Sequence, residues 1–358
     1  MNRRNTRELN ERTGIPRPTN CAGLVASGAP GGDRGEEPGQ TQGVAHPSWL
    51  WVGLLWLCCA AMGCGEASSG LQTPGPVGPR SQPLRVLATT SQVADVARSI
   101  AGSAARVEAL MGPGVDPHLY QPTLGDQRRL READLVLYNG LHLEGKMTEI
   151  FESLAQSKRV VALSSEIPPE QLLQSDDSAG QPDPHIWFDI ALWKLAAQTV
   201  VAQLCELDPA NSPGYRERGA TYLMDLERAH QECLQRVEQL PPARRVLLTS
   251  HDAFAYLGRA YGFEVVGLQG LSTESEAGLR RLTECVDLVK SRQVRAIFPE
   301  TSVSRSAIER VATDSGARLG PELFSDALGP ADGPAGTVAG MLRTNIELVV
   351  EALSGEAK

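Results

Sequence analysis

Residues 213–240, PGYRERGATYLMDLERAHQECLQRVEQL, carry one long helical pattern that organises the rest of the sequence. Six residues spaced alternately three and four apart form one apolar stripe along it. They are Leu223, Leu226, His230, Cys233, Val237 and Leu240. Pro213 favours a helix start, and Pro241 and Pro242 favour a stop. At about 1.5 Å per residue the helix would be about 42 Å long, so we expect a strut that joins two parts of the molecule and limits their relative motion.

Short strands alternate with helices on both sides of this helix. Before it, the pattern predicts strands at 84–89, 106–111, 134–138 and 159–163, with helices at 91–100, 123–133 and 145–156. After it, the pattern predicts strands at 245–249, 264–267 and 296–298, with helices at 252–261, 274–291, 304–315 and 335–353. Such alternation is typical of α/β folds with parallel sheets flanked by helices. The sequence therefore predicts two lobes, at 84–212 and 241–358, joined by a linking helix at 213–240.

Two nearly identical pentapeptides carry two of the six histidines. They are DPHLY at 116–120 and DPHIW at 183–187, and no longer repeat surrounds them. Proline fixes its own φ and restrains the residue before it, so each histidine should project from a rigid loop. Each loop follows a predicted strand, where open α/β sheets bind their ligands. Imidazole is the commonest metal-ligating side chain, so His118 and His185 are candidate metal ligands. The alternative is a pair of loop histidines that cap helices.

Three further residues follow predicted strands in the second lobe. His251 comes directly after the strand at 245–249, although it is equally compatible with a helix start that has Asp252 as its dipole partner. Asp326 lies in a later loop, where a lone aspartate is usually a turn residue. Glu300 is a candidate support for a metal ligand, or else a helix cap. Together with the two pentapeptide histidines, His251 and Asp326 would give four protein ligands in the cleft between the lobes. Catalytic zinc sites usually leave one position open for water, so such a set favours capture over catalysis.

At these residues the chain resembles a known family, the metal-binding receptors of bacterial ABC importers for zinc, manganese or iron. The matching stretches run in order from about residue 84 to the C-terminus. They include 116–120, 133–141, 183–187, 250–254, 260–262 and 324–326. The resemblance implies a monomeric receptor, not an enzyme, that delivers its ion to a membrane permease. It also implies that His118, His185, His251 and Asp326 hold the ion between two lobes.

The preferred metal follows less directly from the residues. Manganese-dedicated members of that family typically have glutamate where this chain has His251, and nitrogen donors favour zinc over manganese. Many zinc-dedicated members have a loop rich in histidine and acidic residues before the second histidine, but here residues 175–180, SDDSAG, contain no histidine. We therefore expect zinc to be favoured over manganese. Because imidazole binds metal only when neutral, affinity should fall as the pH drops through about 6.5.

The N-terminal 83 residues predict export rather than a folded domain. Residues 1–48 have no apolar periodicity, which indicates a disordered extension or a start codon assigned too far upstream. Residues 49–64 form a short apolar run that suits a signal peptide. The run ends in AMGC and is followed by a tether at 65–83, which resembles a lipoprotein processing site with Cys64 as the lipidated residue. An ordinary cleaved signal or an uncleaved anchor would likewise place the chain outside the cytoplasm, either in the periplasm or anchored to the membrane.

Composition excludes several other classes of protein. The 358 residues are 41% hydrophobic and carry a net charge of −9, which argues against nucleic acid as a partner. Four of the seven cysteines fall in the first 64 residues, so the rest cannot form a disulfide framework. Two alternative functions remain. One is a secreted metal-dependent hydrolase with His118, His185 and His251 as zinc ligands and Glu300 as base. The other is a surface adhesin with a structural metal.

Overall fold

The computed structural model describes residues 82–174 and 180–355, and its first lobe is built on a parallel sheet. The strands are β1 Leu84–Ala88, β2 Ala105–Ala109, β3 Leu135–Tyr138 and β4 Arg159–Ala162. All pair in parallel, in the order β2-β1-β3-β4. The helices of this part of the chain are α1 Ser91–Ala101, α2 Leu124–Glu132, α3 Thr148–Ala155 and α4 Ile190–Leu207. β1 and β3 are apolar and largely buried, as strands covered on both faces must be.

The second lobe repeats this arrangement after the linking helix, α5 Ser212–Glu238. Its strands are β5 Val246–Thr249, β6 Glu264–Gly267, β7 Ala296–Ile297 and β8 Arg318–Leu319. β5 pairs with β6 and β7 pairs with β8, and a parallel bridge from Thr249 to Phe298 joins the two pairs. The helices are α6 Ala255–Tyr261, α7 Leu279–Arg292, α8 Ser306–Ser315 and α9 Val338–Ser354. The resulting order, β6-β5-β7-β8, is that of the first lobe.

This strand order determines where a ligand can bind. In each lobe the first strand lies between the second and the third, so the connections diverge on either side of it. Open α/β sheets bind ligands beyond the carboxyl ends of their strands at such a point. His118 follows β2, His185 follows β4, His251 follows β5 and Asp326 follows β8. The predicted α/β fold with two lobes and a long linking helix is confirmed.

The lobes share one hydrophobic core, to which α1, α4, α5, α6 and α9 all contribute buried side chains. A chain of hydrogen bonds crosses it. Trp193 Nε1 donates to the Tyr222 hydroxyl at 3.0 Å, and Tyr222 donates to Asp95 Oδ2 at 3.0 Å. The same oxygen of Asp95 accepts from the backbone N–H of Val338 at 3.0 Å, at the start of α9. Burial raises the pKa of Asp95 to about 6. Separating the lobes would expose this shared core to water, which is unfavourable. The restriction of lobe motion by the linking helix stays a prediction.

One long helix, α4, has no counterpart in the sequence prediction. It is also the one helix among the described residues that is long and apolar enough to cross a membrane. In the structure it packs against α1 and α5, and its buried side chains include Leu192, Trp193, Val200 and Leu204. It is therefore a core helix of this fold. Its apolar residues surround the helix instead of forming one stripe, which is why periodicity did not reveal it.

Other differences from the sequence prediction concern boundaries. α7 begins at Leu279, whereas the pattern predicted a helix from residue 274, and β8 was not predicted. The lobe limits at 84–212 and 241–358 stay predictions. The extension at 1–48, the signal peptide at 49–64 with Cys64, and most of the tether at 65–83 lie outside the described residues.

Candidate metal centre

Four side chains from the two lobes meet at one point. The ligand atoms of His118, His185, His251 and Asp326 all lie within 4.8 Å of one another. His185 Nε2 is 3.4 Å from Asp326 Oδ1, and His251 Nε2 is 3.3 Å from Asp326 Oδ2. A tetrahedral ion with bonds of about 2.0–2.1 Å separates neighbouring ligand atoms by about 3.3 Å. The two imidazole–carboxylate distances are close to this value, and the four ligand atoms together are near enough to share one ion.

The repeated pentapeptides fold in the same way. In the first, Asp116 Oδ1 accepts a hydrogen bond from the backbone N–H of His118 at 2.8 Å. In the second, Asp183 Oδ1 accepts from the backbone N–H of His185 at 2.9 Å. An aspartate that binds the N–H two residues later closes a tight turn, and the intervening proline stiffens it. The Asp-Pro-His order therefore forms the same hydrogen-bonded turn in both loops.

Carboxylates fix two of the three imidazole rings. His185 Nδ1 lies 2.7 Å from Asp183 Oδ1, and His251 Nδ1 lies 2.6 Å from Glu300 Oε2. Glu300 Oε1 also accepts from the backbone N–H of His251 at 2.8 Å. A carboxylate on one ring nitrogen directs the other nitrogen and increases its basicity, as is usual behind metal-bound histidines. Both Nε2 atoms consequently face Asp326.

The same carboxylates control protonation of these rings. Burial is the largest influence on His185 and lowers its pKa, but Asp183 and Asp326 outweigh it and raise the pKa to about 9. Burial also lowers the pKa of His251, but Glu300 and Asp326 raise it well above its usual value. Both shifts favour the imidazolium form in the metal-free protein, and the proton on Nε2 must leave before that nitrogen can bind a metal.

His118 and Asp326 behave differently. Burial lowers the pKa of His118 to about 3, so its ring is neutral and ready to donate a lone pair at any ordinary pH. Burial alone would raise the pKa of Asp326, but the imidazoles of His251 and His185 hold it well below its usual range. The centre thus holds a permanent carboxylate surrounded by imidazoles.

Unpaired polar atoms show what the centre can bind. Within the described residues, Nε2 of His118 is buried without a hydrogen-bond partner, and Nε2 of His185 and of His251 face the oxygens of Asp326 at 3.4 and 3.3 Å without a well-aligned hydrogen bond. Burying a polar atom without a partner costs about 1–3 kcal/mol, so a ligand that contacts these neighbouring atoms would remove that cost. Three imidazole nitrogens and a carboxylate form a donor set for a divalent transition metal ion. The residues present fit such an ion.

The lobes are hydrogen-bonded to each other beside the centre. The backbone carbonyl of Ser325, next to Asp326, accepts from Gln92 Nε2 and from Trp187 Nε1, each at 3.1 Å. Both donors belong to the first lobe, and all these groups are buried. The position of Asp326 relative to the first-lobe histidines is therefore held by direct bonds across the cleft.

The remaining sequence candidates lie elsewhere. Glu300 contacts His251, as its proposed supporting role requires. His230 lies on α5, half-buried, with Nδ1 2.9 Å from the Tyr261 hydroxyl, so it is a packing residue. His142 is exposed on a loop outside the cluster. Of the 175–180 segment before His185, only Gly180 is among the described residues.

Sequence reasoning missed the supporting role of Asp183 and Asp116. Both stand in the repeated pentapeptide, and metal-binding histidines usually need a carboxylate on the second ring nitrogen, which was a usable signal. It also missed Ser325 and Thr273, whose contacts arise only between the lobes.

The chain matches one family of metal-binding proteins. The family model described as ZnuA, zinc-uptake complex component A, periplasmic, matches residues 86–352. The manganese-binding lipoprotein MntA of Bacillus subtilis (strain 168) is 41% identical over 309 residues, which cover 85% of this chain and 98% of that protein. The zinc-binding protein TroA of Treponema pallidum (strain Nichols) is 43% identical over 274 residues, which cover 75% of this chain and 88% of that protein.

A solved structure agrees with these matches. The structure of the periplasmic zinc binding protein TroA from Treponema pallidum superposes with a TM-score of 0.74 at 42% identity, covering 76% of this chain and 99% of that chain. The names of the two sequence relatives above specify different metals, manganese for one and zinc for the other.

Proposed function

The chain belongs to the ZnuA family of periplasmic zinc-uptake components, and from that premise we propose that it is an extracytoplasmic receptor that captures a divalent transition metal and delivers it to an ABC permease. The observation that supports this proposal is the buried cluster of three imidazoles and one carboxylate drawn from both lobes. An ion bound there has two protein ligands on each lobe. It is cargo, held by His118, His185, His251 and Asp326.

The geometry favours capture over hydrolysis. A hydrolytic zinc site needs three protein ligands, an open position for water and a base aimed at that water. Here Asp326 supplies a fourth donor. Glu300, the base of the alternative hydrolase, has one oxygen on the backbone N–H of His251 and the other 2.6 Å from its ring. It supports a ligand instead of facing a water position.

Donor chemistry favours zinc over manganese. Three of the four donors are imidazole nitrogens, and a given site of this type holds Zn²⁺ more tightly than Mn²⁺ in the Irving–Williams order. Manganese, by contrast, prefers sites with more oxygen donors, and here a single carboxylate supplies oxygen. We infer that zinc displaces manganese at equilibrium, and that the ion carried in the cell also depends on which metal is supplied.

The receptor would work as a monomer outside the cytoplasmic membrane. Relatives named as lipoproteins support a lipid tether, for which Cys64 is the expected attachment point. With the lobes joined by a shared core, the ion would be exchanged through small local motions and not through wide opening. In the alternative of a surface adhesin, the bound metal would only stabilise the protein, and metal uptake by the cell would not depend on it.

Metal uptake by cells tests the receptor role. In cells that lack this chain, the wild-type protein should restore zinc uptake at submicromolar zinc, and His251→Ala should not, because it removes one of the four donors. His230→Ala is the matched control, since it removes a histidine that lies outside the centre, and it should restore uptake. If His251→Ala restored zinc uptake as well as the wild type does, the proposed receptor role would be refuted. If the protein were an adhesin, zinc uptake would be the same with and without it.

A further inference from the structure

Of the four side chains of the centre, His118 is the most exposed to solvent. His185, His251 and Asp326 are at most 1% exposed, whereas His118 is 6% exposed. A cavity of about 410 Å³ lies against His118, with Pro182 and Pro184 of the first lobe on one wall and Leu271 and Ser272 of the second on the other. An ion leaving the centre therefore leaves on the His118 side.

His118 is also the imidazole with the weakest support. The rings of His185 and His251 each have a carboxylate within 2.7 Å of Nδ1. Within the described residues, the ring of His118 has no such ion-pair partner, and its Nε2 has no hydrogen bond. What fixes this histidine is its backbone N–H, which donates to Asp116 Oδ1.

The two pentapeptide aspartates use their second contact differently. Asp183 turns back and contacts the ring of its own histidine. Asp116 instead reaches across the cleft, where its Oδ2 accepts a hydrogen bond of 2.6 Å from the Thr273 hydroxyl. One carboxylate therefore joins the exposed ligand loop of the first lobe to the 270–275 segment of the second lobe, which also lines the cavity.

We propose that Thr273 is a positioning residue for metal retention, a latch that acts through Asp116 to hold His118 on the ion. This inference rests on the proposed function. While this hydrogen bond is intact, the His118 loop is held against the second lobe and all four ligands can contact the ion. When the hydrogen bond from Thr273 to Asp116 breaks, the loop that carries His118 can move toward the cavity. The ion then loses His118, its most exposed ligand, first. Release then needs only a local movement, as the shared core of the lobes demands.

The test is the rate of zinc release into excess chelator, measured by stopped flow on the zinc-loaded full chain. Thr273→Val keeps the side-chain shape and removes the hydroxyl. The release rate and the dissociation constant should both rise about tenfold, which corresponds to the lower end of the free energy that a hydrogen bond to a charged group contributes. Thr273→Ser restores the hydroxyl and should behave as the wild type does. Glu274→Gln is the matched control. It removes the neighbouring exposed ion pair to Lys146, 3.4 Å long, which spans the same gap without touching Asp116.

The outcomes separate the latch from general stability and from the proposed function. Loss of this hydrogen bond should lower the urea midpoint of metal-free Thr273→Val, so stability is measured beside release: a lower midpoint with an unchanged release rate would show a merely structural contact. An unchanged release rate in Thr273→Val, or equally fast release from Thr273→Ser or Glu274→Gln, would overturn the latch while the receptor role stands. A wild-type chain that binds no zinc would overturn the proposed function and the latch with it.

Discussion

Replacement of Asp326 by asparagine should weaken zinc binding about a thousandfold. The change preserves the size of the side chain but removes the only negative charge among the four donors. Four-ligand structural zinc sites are worth about 10–16 kcal/mol, so one ligand accounts for up to about 4 kcal/mol, or about a thousandfold in affinity. Zinc affinity measured by competition with a chelator of known strength gives the result directly.

The control for this substitution lies in the same loop. Asp332 is exposed, and Asp332→Asn changes the net charge by the same amount at a distance from the centre. It should bind zinc as tightly as the wild type. If Asp326→Asn retained wild-type affinity, or if the two variants weakened binding equally, Asp326 would not be a metal ligand.

Zinc affinity should fall steeply as the pH is lowered, and this fall should begin above pH 7. The raised pKa values of His185, about 9, and of His251 mean that both rings hold protons in the metal-free protein. His118, with its pKa lowered to about 3, is neutral in this range and has no imidazolium proton to lose. Each ion bound therefore displaces two protons, and each displaced proton weakens binding about tenfold per pH unit. Between pH 7.5 and 5.5 the dissociation constant should rise about ten-thousandfold.

Proton release can be counted directly. Calorimetric titration with zinc in buffers of different ionisation enthalpy should give close to two protons per ion at pH 7. This result would differ from the sequence expectation, in which ordinary histidines lose affinity only as the pH passes about 6.5. Equal affinity at pH 5 and pH 7.5, or release of no protons, would contradict the charged state assigned to His185 and His251.

Two kinds of pattern made the fold predictable, the apolar stripe along α5 and the short apolar runs of the buried strands. The structure has these elements within a few residues, and β8 is the strand that was missed. α4 was missed because its apolar residues surround the helix. The segment before Leu279 was predicted as helix, although α7 starts only after Gly278, so the loop that carries Thr273 was obscured.

The candidate site was predictable in part. The repeated Asp-Pro-His order singled out His118 and His185 from local sequence alone. His251 was equally compatible with a helix start, Asp326 alone was more typical of a turn residue, and the resemblance to known receptors supported grouping both with the pentapeptide histidines. They lie far from His118 in the chain, and it is the pairing of two similar sheets across the cleft that brings them within 4.8 Å. Contacts of that kind, including Thr273 to Asp116, have no local sequence pattern.

The most direct test of the account is the metal content of the purified protein. Wild type and His251→Ala would be incubated with equal zinc and manganese, dialysed and analysed for both elements. We predict one equivalent of zinc and little manganese in the wild type, and loss of most of that zinc in the variant. Absence of both metals from the wild type, or equal zinc in both proteins, would contradict a metal centre formed by His118, His185, His251 and Asp326.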